Sequence, residues 1–256
     1  ITIDSLRLQL KNQTSYSNQN YSGLSELVLT NTKNLLEYEI NENFFQFKYF
    51  DKLQNPEFSY EGKFNLKPFY SNVVGNTNEI NLFPLFSSNA IVKELLKTEI
   101  LNNKNIDFNL IISANKIKEL EDFKNVLFKS KIKEGLVDID QTKITWRNYI
   151  DFEFLDSLIY VREGKLILDS SVVIDINNSN ELYKFLLTPK NLRKKINKVN
   201  LNFTYLFEEK KIKVKNIRVD GKSPKKLKNV FNDIYLKENN LQNKIYFKNL
   251  LNKVIK

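Results

Sequence analysis

Along most of this chain apolar and polar residues alternate with a period of two, and that constrains its fold more than any other feature. Aromatic and aliphatic side chains alternate with polar ones through Phe58-Ser59-Tyr60-Glu61-Gly62-Lys63-Phe64-Asn65-Leu66. Val126-Leu127-Phe128-Lys129-Ser130-Lys131-Ile132-Lys133 repeats the pattern with three lysines on one face. It returns in Ile150–Phe154, Val172–Ile176 and Leu201–Phe207. Successive side chains of a strand point to opposite faces, so each stretch reads as a strand with one apolar and one wet face. Half-solvated strands of this kind belong to antiparallel sheets, since parallel strands are apolar throughout.

The breaks between strands are short. Glu208–Lys211, Arg162–Lys165 and Asp140–Lys143 are each of hairpin size. Gly (6) and Pro (5) are scarce, against roughly 18 and 13 for average usage. Turns are therefore expected to rest on Asn, Asp and Lys, with Asn the best non-glycine occupant of left-handed backbone. Two segments depart from period two. Ser88–Leu101 places Ile91 and Leu95, and Val92 and Leu96, at helical spacing, with Ser87, Ser88 or Asn89 as cap. A second helix is expected from about Ser179 to Leu187, ended by Pro189, with a further turn at Asn191–Lys195. Lys225–Asn232 is a weaker third candidate.

The expected fold is mainly β. It is a long curved antiparallel meander, an open groove or half-closed sheet, with two short amphipathic helices packed on its apolar face. No linker rich in Pro, Gly or Ser interrupts it, so residues 1–256 read as one β-rich domain without an internal boundary. The chain has no Met and starts inside the pattern Ile1-Thr2-Ile3, which reads as an internal or C-terminal piece of a longer protein.

Composition narrows the chemistry. The chain has no Cys and no His, so thiol nucleophiles, disulfides, imidazole bases and the usual zinc ligands are excluded. Carboxylate, Lys, Ser and Tyr chemistry remains, and no motif organises it. Asp138 and Asp140 share one strand face, which fits a solvated surface better than a Ca²⁺ site or an acid–base pair. The basic runs Arg193–Lys198 and Lys222–Lys228 fit solvated loops in a Lys-rich chain better than a lipid-phosphate or RNA contact. Phe44–Phe50 reads as an ordinary strand with Phe45, Phe47 and Tyr49 inward, rather than a base-stacking platform. The net charge of +10 accompanies an Asn/Lys/Ile-rich usage typical of AT-rich coding. No enzyme, cofactor, metal or nucleic-acid partner is expected.

Three further stretches carry a resemblance. Glu61–Phe69 has the form G-x-apolar-x-x-x-P-F; Glu134–Asp138 leads to Trp146; and Asp156–Asp169 is followed by Tyr183–Arg193 and Asn202–Phe207. In this order, over roughly residues 57–220, they resemble the AsmA-like family of Gram-negative envelope proteins. The resemblance implies a periplasmic protein, anchored in the inner membrane through a segment outside this piece. It also implies a part in outer-membrane biogenesis and integrity, through phospholipid binding or transfer along an apolar β-groove. The expected partner is a phospholipid or other acyl-chain lipid. The candidate lining is Phe58, Tyr60, Phe64, Leu66, Phe108, Leu110, Ile112, Val126, Phe128, Ile132, Ile144, Trp146, Phe152 and Phe154. The main alternative is a structural or adhesive β-module whose apolar face closes into a dry core. An outer-membrane barrel fits less well, because helices interrupt the meander.

Overall fold

The computed structural model describes residues 2–3, 8–29, 32–51, 59–81, 96–98, 100–223 and 234–235. Through them runs one continuous sheet of sixteen strands. It opens with β1 (Thr2–Ile3), β2 (Leu8–Ser17), β3 (Asn20–Leu29), β4 (Thr32–Ile40) and β5 (Phe44–Asp51). Next come β6 (Ser59–Leu66), β7 (Phe69–Ile80), β8 (Asp107–Ile117) and β9 (Leu120–Lys133). They are followed by β10 (Leu136–Asp138), β11 (Lys143–Trp146), β12 (Ile150–Arg162) and β13 (Lys165–Ile176). The last are β14 (Lys198–Leu206), β15 (Lys211–Val219) and β16 (Ile234–Tyr235). Neighbours in sequence are neighbours in the sheet nearly throughout, as a meander requires.

Two pairings depart from simple hairpins. β7 and β8 run parallel, with Val73 opposite Leu110. A parallel neighbour cannot be reached by a tight turn, so the chain between Ile80 and Asp107 crosses over. The expected helix Ser88–Leu101 falls in this crossover. Of it, Leu96 and Lys97 are helical and a 3-10 turn covers Ile100–Asn102, while the segment 88–95 lies outside the described residues.

The second departure corrects the expected hairpin at Asp140–Lys143. β10 and β11 do not pair with each other; both lie between β9 and β12. The chain therefore steps sideways and carries on in the same direction. Side chains in the step hold it in place of a turn. Asp138 Oδ1 accepts the Asp140 N–H at 2.7 Å, Asp140 Oδ1 accepts the Ser157 N–H at 2.5 Å, and Thr142 Oγ1 accepts the Lys129 N–H at 3.1 Å. The Asp138/Asp140 pair is thus committed to backbone donors. Bulges flank the step in β9 and β12, and such bulges bend a sheet and sharpen its twist.

Turn chemistry is broader than expected. Left-handed backbone is taken by Asn18, Asn125, Asn148, Asp156 and Asp220, but equally by Glu119, Glu134 and Glu163. Glu134 and Glu163 each precede a glycine that is itself left-handed, Gly135 and Gly164, the backbone signature of tight hairpins.

One α-helix is described, α1 (Ser179–Phe185), in the connection from β13 to β14. The Asn178 side chain caps it, accepting the Glu181 N–H at 3.1 Å. Leu187 then turns left-handed (φ 55°) ahead of Pro189, and a 3-10 turn forms at Lys190–Leu192 where a last helical turn was expected. The basic run beyond it works as structure: Arg193 Nε donates to the Thr188 carbonyl at 2.9 Å, and Ile196 is buried. The third expected helix, Lys225–Asn232, lies outside the described residues.

Candidate functional site

The register of the strands sorts side chains onto two faces. Directly paired residues in an antiparallel sheet share a face, so one row can be followed from strand to strand. It begins Tyr16, Tyr21, Ile40, Phe45, Phe64. It continues through Ser71, Phe108, Ile132 and Val137. It ends with Ile159, Leu168, Tyr205 and Ile212 on β15. All of these except Ser71 are apolar or aromatic. At a spacing of ~4.8 Å per strand the row is on the order of 50–60 Å long.

Exposure along this row is graded. Tyr16 is 62% exposed, Tyr21 50% and Ile40 38%, whereas Leu168 and Tyr205 are 7% and 8%. The row is open at the N-terminal strands and covered at the C-terminal ones. The cover has an identifiable source. Leu182, Tyr183 and Leu186, from α1 and its C-cap, pack with Trp146, Ile150, Ile196, Val199 and Ile217. Val137, Ile139, Leu166, Leu168, Tyr205 and Phe207 form a second cluster, against which Leu96 of the crossover packs. Lys97 fixes that contact by pairing with Glu208 at 2.9 Å. Burial alone would raise the Glu208 carboxyl, but hydrogen bonds from Lys97 and from backbone N–H groups hold it below the ordinary value.

On β5 and β6 the face is aromatic and half-buried, while the inward residues of β7, Ser71, Val73 and Thr77, are buried between it and Phe108 of β8. Phe45, Phe47 and Phe64 stack with centroids 5.8–6.0 Å apart. Phe108 continues the array 6.4 Å from Phe64, and Tyr49 lies 6.4 Å from Tyr60. Burial raises the Tyr60 phenol pKa, and a hydrogen bond with Thr77 partly offsets this. Glycines flatten the surface. Gly23, Gly62 and Gly75 stand directly opposite Tyr38, Phe47 and Tyr60, and each ring lies over the space where a Cβ would project.

The opposite face carries the charges. Lys33 and Glu26, Lys143 and Glu153, and Lys215 and Asp169 pair across strands at 2.6, 3.1 and 2.6 Å. A shallow depression of about 610 Å³ on this side is lined by Gln13, Ser15, Glu37, Glu39, Gln46 and Lys48. A second, of about 570 Å³, is lined by Ser59, Asn76, Ser113 and Asn115. Lys129 faces the same way, bonded to Gln141 at 2.8 Å.

The residues expected to line a groove fall into three groups. Tyr60, Phe64, Phe108, Leu110 and Ile112 share the aromatic, half-buried part of the face, and Leu66 is 40% exposed at its rim. Val126 is 3% exposed, and Phe128, Ile132, Ile144 and Phe154 pack partly buried against the core clusters. Trp146 is 1% exposed, edge-on to Phe185 at 5.0 Å, with Phe152 packed beside it. This second and third set is interior packing, reached by helical residues at Trp146, where α1 packs, and in the cluster that Leu96 joins. Phe58 lies outside the described residues. Missed from the sequence were Tyr16 and Tyr21, the most open members, together with Tyr38 and Ile40. Their strands are rich in Asn, Ser and Thr, and only the alternation of Leu8, Leu10 and Tyr16 with polar residues pointed to them.

No family model matches the chain, and comparison with curated proteins and with solved structures likewise finds no match. No described helix is long and apolar enough to cross a membrane, and no group of metal-ligating side chains occurs among the described residues.

Proposed function

We propose that this chain is a non-enzymatic, lipid-handling β-scaffold of the AsmA-like type. In this reading it acts in the periplasm, anchored to the inner membrane through a further segment, and serves outer-membrane biogenesis by binding or passing phospholipid. The observation that carries the reading is the cross-strand apolar row from Tyr16 to Ile212, which is half-buried and aromatic at Phe45, Phe64 and Phe108 and closes into core at Leu168 and Tyr205. Acyl chains laid across the strands would meet an equivalent apolar position at every strand spacing. Hydrophobic contact is non-directional, so movement from one position to the next costs little, while headgroups stay in water. Stacked Phe45, Phe47 and Phe64 would form the bed. The graded cover divides the face: in this reading the alternative of a dry, closed core applies to β12–β15 beneath α1, and the lipid path belongs to β5–β8.

The test is native mass spectrometry, with lipid extraction, of the protein purified gently from a Gram-negative periplasm. Co-purified phospholipid is expected. Phe47→Asp or Phe64→Asp should abolish it while the far-UV circular dichroism is kept, and Lys129→Gln on the opposite face should leave it unchanged. A folded, lipid-free protein that also fails to extract fluorescent phospholipid from vesicles would refute the reading. Phe128 and Phe152 are unsuitable probes, because both pack against core clusters and charging them should unfold the chain.

A further inference from the structure

The β2–β4 end of the open face differs from the rest in a way that acyl chains do not explain. Its inward positions carry no charge, whereas the outward positions of the same strands carry Lys11, Glu26, Lys33, Glu37 and Glu39. In a chain that is 27% charged, so exposed a face without charge has a physical reason. It is not simply greasy either. Asn12 Nδ2 donates to Thr14 Oγ1 at 2.8 Å, Thr14 Oγ1 and Tyr38 Oη lie 2.7 Å apart, and Ser25 Oγ donates to Asn12 Oδ1 at 2.8 Å. Beside this network the rings of Tyr16 and Tyr21 stand 4.6 Å apart, 62% and 50% exposed.

We propose that this end is a binding platform for a neutral glycan. A sugar ring has an apolar C–H face and a rim of hydroxyls. Aromatic faces suit the first; hydroxyls and amides, which both donate and accept, suit the second. An acyl chain would cover the Asn12–Thr14–Tyr38 network and strip it of water without replacing the hydrogen bonds, which costs free energy. An ionic ligand would find no countercharge at the inward positions of β2–β4. The platform is also preorganised. Tyr38 lies flat on Gly23, its ring atoms 2.5 Å from the site of a Cβ, and its hydroxyl is held by Thr14 and Asn12. Side chains already fixed lose little entropy on binding. The proposal stands on different residues from the lipid path and does not require it.

The experiment is saturation-transfer-difference NMR of the whole chain with maltoheptaose and with the hexamer of N-acetylglucosamine, followed by calorimetric titration. At least one of them should bind, with transfer concentrated on the ring C–H protons. Tyr16→Ala and Tyr21→Ala should each weaken binding about tenfold with the circular dichroism unchanged. Tyr70→Ala, an exposed tyrosine on the opposite face, should leave it intact. Three results overturn the proposal. One is no transfer from either sugar beyond that of the Tyr16/Tyr21 double variant. Another is tyrosine-dependent retention on phosphatidylcholine vesicles instead, which makes the platform a membrane contact. The last is a concentration-dependent dimer lost in Tyr21→Ala, which makes it a self-association face.

Discussion

Gly75 shows how finely single residues shape the open face. A methyl at this position would fall inside contact distance of the Tyr60 ring. Gly75→Ala must therefore lift the ring from its bed, and urea unfolding should show a loss of about 1–3 kcal/mol. Gly164 has a different reason to be glycine: its φ is +70° and nothing lies within 4 Å of a built Cβ. Gly164→Asn, which tolerates left-handed backbone, should cost no more than about 0.5 kcal/mol. Asp169 belongs to the charged face. Burial would raise its carboxyl, but hydrogen bonds from Lys215, Thr204 and Tyr160 prevail and hold it below the ordinary value. A depressed folded-state pKa contributes stability above the unfolded-state pKa, and that contribution is lost as pH falls through the folded value. Asp169→Asn should accordingly lower the urea midpoint at neutral pH. The gap from the parent protein should close once the solution is acid enough to protonate Asp169 in the fold. A gap that stays constant with pH would mean that Asp169 acts through packing.

Among elements, α1 decides where the sheet is dry. It is only seven residues long, too short to be stable alone, so its buried face holds it in place. Leu182 is 1% exposed and Tyr183 2%, and the Tyr183 hydroxyl donates to the Lys194 carbonyl, tying the helix to the segment that leads into β14. Leu182→Ala should cost about 2–5 kcal/mol. The single tryptophan reports on it, since Trp146 is 1% exposed and covered by Phe185. Its emission should shift to the red and become accessible to acrylamide in Leu182→Ala, and should stay unchanged in Lys184→Ala, an exposed helix position.

At the scale of the whole molecule, stability should follow the graded cover. Local opening free energies are highest where apolar contacts are dense and lowest where a strand has one packed neighbour and a wet face. The buried clusters draw on β8–β15, whereas Leu35 is the one buried hydrophobic residue on the described parts of β2–β6. Amide hydrogen exchange should therefore be slowest in β12–β14 and faster in β2–β5. Equal protection at both ends would mean that the open face is as well packed as the covered one. A sheet of such graded stability suits a surface that must accept and release ligands at one end while the other keeps its shape.

The period-two alternation by itself determined the strands, their antiparallel habit and the inward set Phe45, Phe47, Tyr49, Phe64 and Phe108, because side-chain direction in a strand is a local property. The second helix was equally legible from its spacing and from Pro189. What escaped was set by partners distant in sequence. Asp140–Lys143 looks like a hairpin, and only Ser157 and Lys129, supplied by β12 and β9, hold it as a sideways step. The parallel β7–β8 pair likewise depends on where the crossover lands. Above all, Trp146 and Tyr21 obey the same alternation, yet one is 1% exposed and the other 50%. Periodicity says which face a residue takes, and only the tertiary structure, by laying α1 and Leu96 over one end of the sheet, decides whether that face is core or surface.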